Sequence, residues 1–261
     1  MVATYLDRIL ADHRAAAAAD SRPVAELAAR AAEVGPARGF RDALLSGSRD
    51  GLAVIAEVKR RSPSKGDLQP DLDPAEVARA YALGGASCLS VLTDEHWFGG
   101  SVADLQEARA AVDLPVLRKD FTVSERDVYD ARLMGADALL LIAAALSADE
   151  LHRFHALALD LGLDALVEVH DEADLVKAVA VGATLVGVNQ RDLVTFEVDT
   201  DRAVRVAAAM PASVVRVAES GITGPADAAR LRAAGYHAVL VGESLVTSSD
   251  AAAAVGALRT A

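Results

Sequence analysis

The sequence predicts an α/β protein: a closed (β/α)8 TIM barrel in which eight parallel strands alternate with helices, preceded by a helical extension. Three observations carry this reading. Four similar segments, residues 85–92, 135–142, 182–189 and 235–242, start 50, 47 and 53 residues apart. In each, a glycine ends an alanine-rich helical stretch and a short apolar run follows, which reads as a helix C-cap, a tight turn and a buried parallel strand. Four more apolar runs, 53–58, 115–117, 165–169 and 214–218, fall midway between them. Amphipathic patterns such as 74–83 and 148–161 occupy the gaps. Strict alternation of strand and helix argues for a parallel sheet. Eight units favour closure over an open doubly wound sheet, and no G-x-G-x-x-G follows the first strand, as a dinucleotide-binding sheet would need. Residues 1–19 and 23–33 read as helices. The expected organisation is one domain, with residues 1–50 as the extension and 51–261 as the barrel. The extension is either a cover for one barrel mouth or padding.

Composition narrows the function classes. A chain of 261 residues with 52% hydrophobic and 25% charged residues can bury a large core and is unlike a disordered chain. No apolar run approaches the ~20 residues that a membrane-crossing helix needs. The first 19 residues mix charges among their apolar positions, so they do not read as a signal peptide. A net charge of -12 repels nucleic acid and anionic membranes, leaving an anionic small molecule as a partner only through a local cationic or dipolar site. The single cysteine, Cys88, cannot form an internal disulfide, which fits a reducing cytoplasm. It reads as a small core residue of the second strand. The six histidines show no metal-ligand spacing, so no metal is expected.

Barrel enzymes place their chemistry at the C-terminal ends of the strands. Only four of the 26 basic residues are lysines, Lys59, Lys65, Lys119 and Lys177, and two of these end apolar strands. Strand side chains alternate faces, so Glu57 and Lys59 can both point inward. An unpaired charge inside a barrel costs several kcal/mol. Glu57, Lys59, Lys119 and Glu168 therefore need one another or a ligand. A purely structural ion network is the alternative, but such a network would serve equally well mid-strand, and these charges gather at one rim. Crowded ammonium groups depress each other's pKa while carboxylates oppose this, so the net sign stays open. Small residues at the ends of strands 7 and 8, Ser220, Gly221 and Gly242, suit a phosphate held on backbone N–H groups, with residues 243–246 able to start a short helix there. Ordinary turns would also explain them. His96, Trp97 and Phe98 could cover a flat substrate or merely pack on a neighbouring helix. His170 reads as lying behind Glu168 or in solvent. Ser220 lacks the surroundings of a hydrolase nucleophile.

These residues resemble the indole-3-glycerol-phosphate synthase family along almost the whole chain. The stretches that carry the likeness are I-A-E-V-K-R-R-S-P-S-K-G at 55–66, S-V-L-T-D at 90–94 with H-W-F-G-G-S at 96–101, L-R-K-D-F at 117–121, L-V-E-V-H at 166–170, G-V-N-Q-R-D-L at 187–193 and A-E-S-G-I at 218–222. Residues 6–10 look like the family's first helix. The resemblance implies a cofactor-free enzyme of tryptophan biosynthesis. It would convert 1-(2-carboxyphenylamino)-1-deoxyribulose 5-phosphate, an anthranilate-derived sugar phosphate, to indole-3-glycerol phosphate, carbon dioxide and water. By the same likeness, Lys119 is the general acid of ring closure. Glu57, Lys59 and Glu168 supply acid and base for dehydration, with Asn189 orienting the substrate and Ser220 counted with the catalytic set. Lys59 and Ser62 meet the anthranilate carboxylate, and Phe121 lines the site. The phosphate lies on the backbone of Ser220, Gly221, Gly242 and Glu243, clamped by Arg191. The expected protein is a cytoplasmic monomer. Gln190 and Glu243 depart from the commoner family residues, but both positions can act through the backbone. An isomerase of the tryptophan or histidine pathway would carry a different acid–base set, such as Cys or Asp on the first strand. An inactive paralogue would not need these acids and bases intact.

Overall fold

A computed structural model describes residues 4–62, 65–192 and 195–261. The first three residues of the expected N-terminal helix, together with Pro63, Ser64 and Leu193 of the motifs above, lie outside them. Eight strands form the barrel: β1 (Ala53–Val58), β2 (Cys88–Leu92), β3 (Val116–Lys119), β4 (Ala138–Ile142), β5 (Asp164–Val169), β6 (Leu185–Asn189), β7 (Val215–Glu219) and β8 (Ala238–Val241). Each pairs in parallel with its sequence neighbours, and β8 closes onto β1 through pairs such as Val54 with Val239. The glycine that opens each of the four repeats has φ between 76° and 90°. That left-handed conformation ends the preceding helix and turns the chain into its strand at little steric cost. The third strand runs further than its apolar stretch. Arg118 and Lys119 are part of the ladder, because Val91 and Leu92 of β2 pair with them.

Alternation along the strands builds two cores. Outward residues such as Val54, Ala56, Leu89 and Leu139 pack under the surrounding helices, while inward residues such as Ile55, Leu117, Leu140 and Leu166 fill the barrel. The helices include α4 (Pro74–Leu83), α5 (Glu95–Phe98), α6 (Val102–Ala111), α7 (Glu125–Met134), α8 (Ala148–Asp160) and α9 (Glu172–Ala180). The circuit ends with α10 (Arg202–Ala207), α11 (Pro225–Ala233), α12 (Glu243–Val246) and α13 (Ala251–Arg259). Short polar side chains start many of them. Ser124 and Ser147 form reciprocal capping boxes with Asp127 and Glu150. Among the described residues, no helix is long and apolar enough to cross a membrane.

The N-terminal extension holds three helices, α1 (Tyr5–Ala19), α2 (Val24–Ala32) and α3 (Phe40–Gly47). The third was not anticipated. Its Phe40 and Leu44 are fully buried against the inward residues at the N-terminal end of the strands, so α3 stoppers that end. Two carboxylates on the strand ends fix it: Asp137 accepts the Arg38 amide at 2.8 Å and Asp164 accepts the Arg41 amide at 2.9 Å. The first helix lies at the opposite end. His13 bonds Asp94 after β2, Arg14 pairs with Glu150 after β4, and the Tyr5 ring meets the rings of Trp97 and Phe196. One extension thus spans both barrel ends, and α1 rests on the loops of the mouth.

Replacing a fully buried phenylalanine by alanine removes its transfer energy and leaves a cavity, which together cost about 3–5 kcal/mol. Phe40→Ala should lose that much stability in urea denaturation. Because the stopper stands at the end away from the mouth, residual folded protein should keep its ligand affinity.

Candidate active site

The polar residues of the inward face collect where the strands end. Glu57 and Lys59, two apart on and just beyond β1, pair at 2.5 Å. Lys119, the last residue of β3, reaches Glu168 of β5 at 3.2 Å and Glu219 of β7 at 3.5 Å. Glu168 also accepts the Asn189 side-chain amide at 3.0 Å, and Asn189 in turn accepts the Arg191 backbone N–H at 3.0 Å. Glu57, Glu168 and Glu219 are all less than 5% exposed. Two glycines leave room for them. A Cβ at Gly187 of β6 would collide with the Glu219 carboxylate, and one at Gly242 after β8 would collide with Glu57 and crowd the Lys59 ammonium.

Burial and charge act against each other here. Burial pushes the Lys119 ammonium down, but Glu168, Glu219 and Glu57 outweigh it and hold Lys119 well above its ordinary range. For Lys119 the sign left open by the sequence is thus set by the carboxylates. Burial pushes Glu168 up, yet Lys119, His170 and the Asn189 hydrogen bond bring it below its usual value. Glu219 goes the other way. Burial, with Glu168 and Glu57 nearby, outweighs Lys119 and pushes it up to about 8. Its Oε1 is buried without a hydrogen-bond partner. Glu168 and Glu219 therefore differ in readiness to hold a proton, and the one with the unpartnered oxygen holds it more firmly.

A cavity of about 680 Å³ opens over this cluster, within the range of small-molecule sites. Every residue expected at the site lines it. Glu57, Lys59, Lys119, Glu168, Asn189 and Ser220 face it, as do Ser62, Phe121, Arg191, Gly221, Gly242 and Glu243. Ser220 and Gly221 both have left-handed φ, 64° and 70°, and the Ser220 carbonyl is tied back by the Gln190 side-chain amide at 2.8 Å. Gly242 is the N-cap of α12, whose first amides have no acceptor within the helix. Both turns stand on the same side of the cavity, the arrangement by which barrels cradle an anion. The Arg191 guanidinium donates to the Phe196 carbonyl at 3.2 Å and so stays beside this cradle.

Several placements differ from the sequence reading. Glu219 lines the cavity although it was assigned no role there. The signal is present in the sequence, since Glu219 is a charge at the end of a largely apolar strand, as Glu168 is near the end of β5, but it adjoins the small residues Ser220 and Gly221. Of the aromatic trio, only Phe98 lines the cavity. Trp97 packs on Tyr5, and His96 and Trp97 face a shallow groove beneath α1. His170, by contrast, stands where the sequence places it, behind Glu168 and outside the cavity. His13, Asp94 and Asp120 come together from three separate elements, with ligand-type atoms within 4.8 Å. No sequence spacing signalled this group. Asp94 already caps α5 through the Trp97 and Phe98 amides, and Asp120 is bonded by Thr93, Arg118 and the Phe121 amide. Burial pushes the His13 imidazole down, but Asp94 and Asp120 more than offset this and raise it. The group reads as a charged clasp holding α1 to the mouth.

The raised Glu219 pKa has a measurable sign. The folded chain keeps this proton to about pH 8, whereas an unfolded glutamate loses it near ~4.3. Between those values the folded state binds more protons, so this group's contribution to stability falls as pH rises. Glu219→Gln should therefore gain stability relative to wild type between about pH 5 and 8 in urea titrations. A carbon-13 carboxyl resonance titrating near 8 should vanish in the same variant.

Comparison with known proteins agrees with the geometry. A family model described as indole-3-glycerol phosphate synthase matches residues 6–258. An indole-3-glycerol phosphate synthase of a Nocardioides species is 55% identical over 232 residues, covering 89% of this chain and 88% of its own. That of Neisseria gonorrhoeae is 50% identical over 256 residues, covering 97% and 98%. Among solved structures, a thiamine phosphate pyrophosphorylase from Pyrococcus furiosus superposes with a TM-score of 0.60 at 16% identity, covering 80% of this chain and 95% of that one. An N-acetylmannosamine-6-phosphate 2-epimerase from Clostridium perfringens gives 0.58 at 14%, covering 77% and 90%. These two likenesses concern the barrel alone. The match over nearly the full length, at half identity, means that this chain belongs to the indole-3-glycerol phosphate synthase family.

Proposed function

We propose that the cavity closes the indole ring of 1-(2-carboxyphenylamino)-1-deoxyribulose 5-phosphate, releasing carbon dioxide and water and leaving indole-3-glycerol phosphate. The observation that carries this is a buried ammonium, Lys119, between two carboxylates and beside an anion cradle. Ring closure requires an aromatic carbon to attack the ketone, so negative charge develops on the ketone oxygen. The Lys119 ammonium stabilises that charge and then donates its proton. An alkoxide is more basic than an amine, so a lysine held above its ordinary range still gives the proton up. Decarboxylation restores aromaticity. Dehydration then needs an acid for the leaving hydroxyl and a base for the adjacent hydrogen. Glu57 with Lys59 and ionised Glu168 supply that pair, Asn189 orients the substrate, and Glu219 is a further proton donor because it keeps its proton to about pH 8.

Recognition follows the same layout. Lys59 and Ser62 meet the anthranilate carboxylate, and Phe121 packs against the substrate. The backbone of Ser220, Gly221, Gly242 and Glu243 holds the phosphate, Ser220 stands between cradle and cluster, and Arg191 clamps the phosphate from the side. The same reading takes the chain as one domain, a cytoplasmic monomer that needs no metal or cofactor and binds neither nucleic acid nor membranes. The net charge of -12 and the free, buried Cys88 support it.

Purified protein given the anilino-ribulose phosphate should develop indole fluorescence, and a silent sample would reject the reading. A positioned general acid contributes about 10²–10⁴ in rate. Lys119→Ala should lose turnover by about that factor while calorimetric binding of inorganic phosphate survives. Wild-type turnover in that variant would move the acid role to another residue.

A further inference from the structure

The proposed reaction carries an unmet proton requirement. The substrate arrives with an ionised benzoate and leaves it as neutral carbon dioxide, while the departing hydroxyl becomes water. Each turnover therefore takes up one proton from solvent. The acids and bases that must pass it on are buried, and bound substrate fills the cavity above them.

A second route leads to Glu168 from outside the cavity. His170 follows β5 on the same face as Glu168 and does not line the cavity. Its Nε2 lies 3.8 Å from Glu168 Oε1, and its Nδ1 lies 3.8 Å from Asp174 Oδ2 in the first turn of α9. Both ring nitrogens are buried, and neither makes a hydrogen bond. Asp174 also accepts from Lys177 Nζ at 3.1 Å, and that lysine side chain is 38% exposed. The charged groups about the ring are Glu168 with Lys119 beyond it on one side, and Asp174 with Lys177 on the other. Carboxylate, imidazole and carboxylate thus follow one another from the reacting cluster outward to Asp174, whose partner Lys177 reaches solvent. Distances just beyond hydrogen-bonding range are ordinary for proton-transfer groups before substrate binds.

Resting on the ring-closure reading, we propose that His170 is a positioning residue for Glu168 and the path by which Lys119, through Glu168, regains the proton it gives up. The imidazole, carrying its hydrogen on Nε2, takes a proton on Nδ1 from the Asp174 edge. It then gives the Nε2 proton to Glu168 Oε1, and Glu168 passes it on to the deprotonated Lys119 amine 3.2 Å away. One solvent proton ends on Lys119, Glu168 is ionised again, and the neutral imidazole is left as the other tautomer. No hydrogen bond holds the ring, so turning over to reset it breaks none. Imidazole suits this work because it both accepts and donates near neutral pH.

The test compares wild type with His170→Gln and His170→Ala, each checked by thermal melting. Glutamine keeps polarity and approximate size but cannot relay a proton. Both variants should melt near wild type, keep KM and lose kcat by at least about tenfold, less than the ~10²–10⁴ of a group that meets the substrate. Added imidazole should restore kcat in His170→Ala, whereas pyrrole, equal in size but not basic, should not. Wild-type kcat in folded His170→Gln would overturn the relay. So would a loss of activity in His170→Gln that appears in KM rather than kcat, or one in folded His170→Ala that imidazole leaves uncorrected. An inactive wild type would instead overturn the ring-closure reading itself.

Discussion

Five charged side chains share one buried rim, and their charges do not balance when all are ionised. Glu57, Glu168 and Glu219 face Lys59 and Lys119, three acids to two bases. In a low-dielectric interior such an excess costs several kcal/mol unless one group changes protonation state. Glu219 is that group. A proton on it makes the set neutral, which is why its pKa rises while that of Glu168 falls beneath the same lysine. The stored proton is a consequence of electrostatics, and the site can use it in chemistry that needs an acid. The surrounding scaffold serves the same end. Gly187 and Gly242 give up side chains where the carboxylates must lie, and alternate strands β1, β3, β5 and β7 hold the five groups in fixed relation.

The two barrel ends divide the work of the N-terminal extension. At the closed end, α3 buries Phe40 and is pinned by Asp137 and Asp164, so stability is built where no chemistry happens. At the open end, α1 is held by groups that can exchange partners: an imidazole between two carboxylates, an arginine pair and edge-on rings. His13 also lies against Phe121, a wall of the cavity, at 5.2 Å between rings. The helix over the mouth is therefore in contact with a residue that lines the cavity, and a change at the clasp reaches the cavity through a single side chain.

The sequence made the barrel and most of the rim legible for a physical reason. A parallel strand buried on both faces must be apolar, so a charge at its end stands out, and Glu57, Lys59, Lys119 and Glu168 were found in that way. Glu219 carries the same mark but adjoins the small residues of the anion cradle, whose signal masked it. The α3 stopper was not legible because its apolar pattern is short, and its anchors, Asp137 and Asp164, are distant in sequence. The clasp of His13 with Asp94 and Asp120 joins residues more than 80 positions apart and follows no local periodicity. His170 was read as standing behind Glu168, and it does. What sequence could not supply was its second neighbour, Asp174, which faces the ring only because α9 packs back across the end of β5.

An acidic protein that takes an anionic sugar phosphate must solve its attraction locally. The overall field opposes approach, and the rim cluster, neutral at best, adds little net pull. Attraction falls to main-chain dipoles and a few cations. The turn at Ser220 and Gly221 and the first turn of α12 present N–H groups, while Arg191 and Lys65 stand at the cavity edge. This division has a chemical advantage. Main-chain donors carry no ionisable proton, so a phosphate held on them would leave the protonation of the nearby glutamates undisturbed. Buried lysines in that role would pull Glu219 down and remove the proton that makes the cluster neutral. A cradle built of backbone N–H groups would let the same cavity hold a highly charged ligand and keep a carboxylic acid ready beside it.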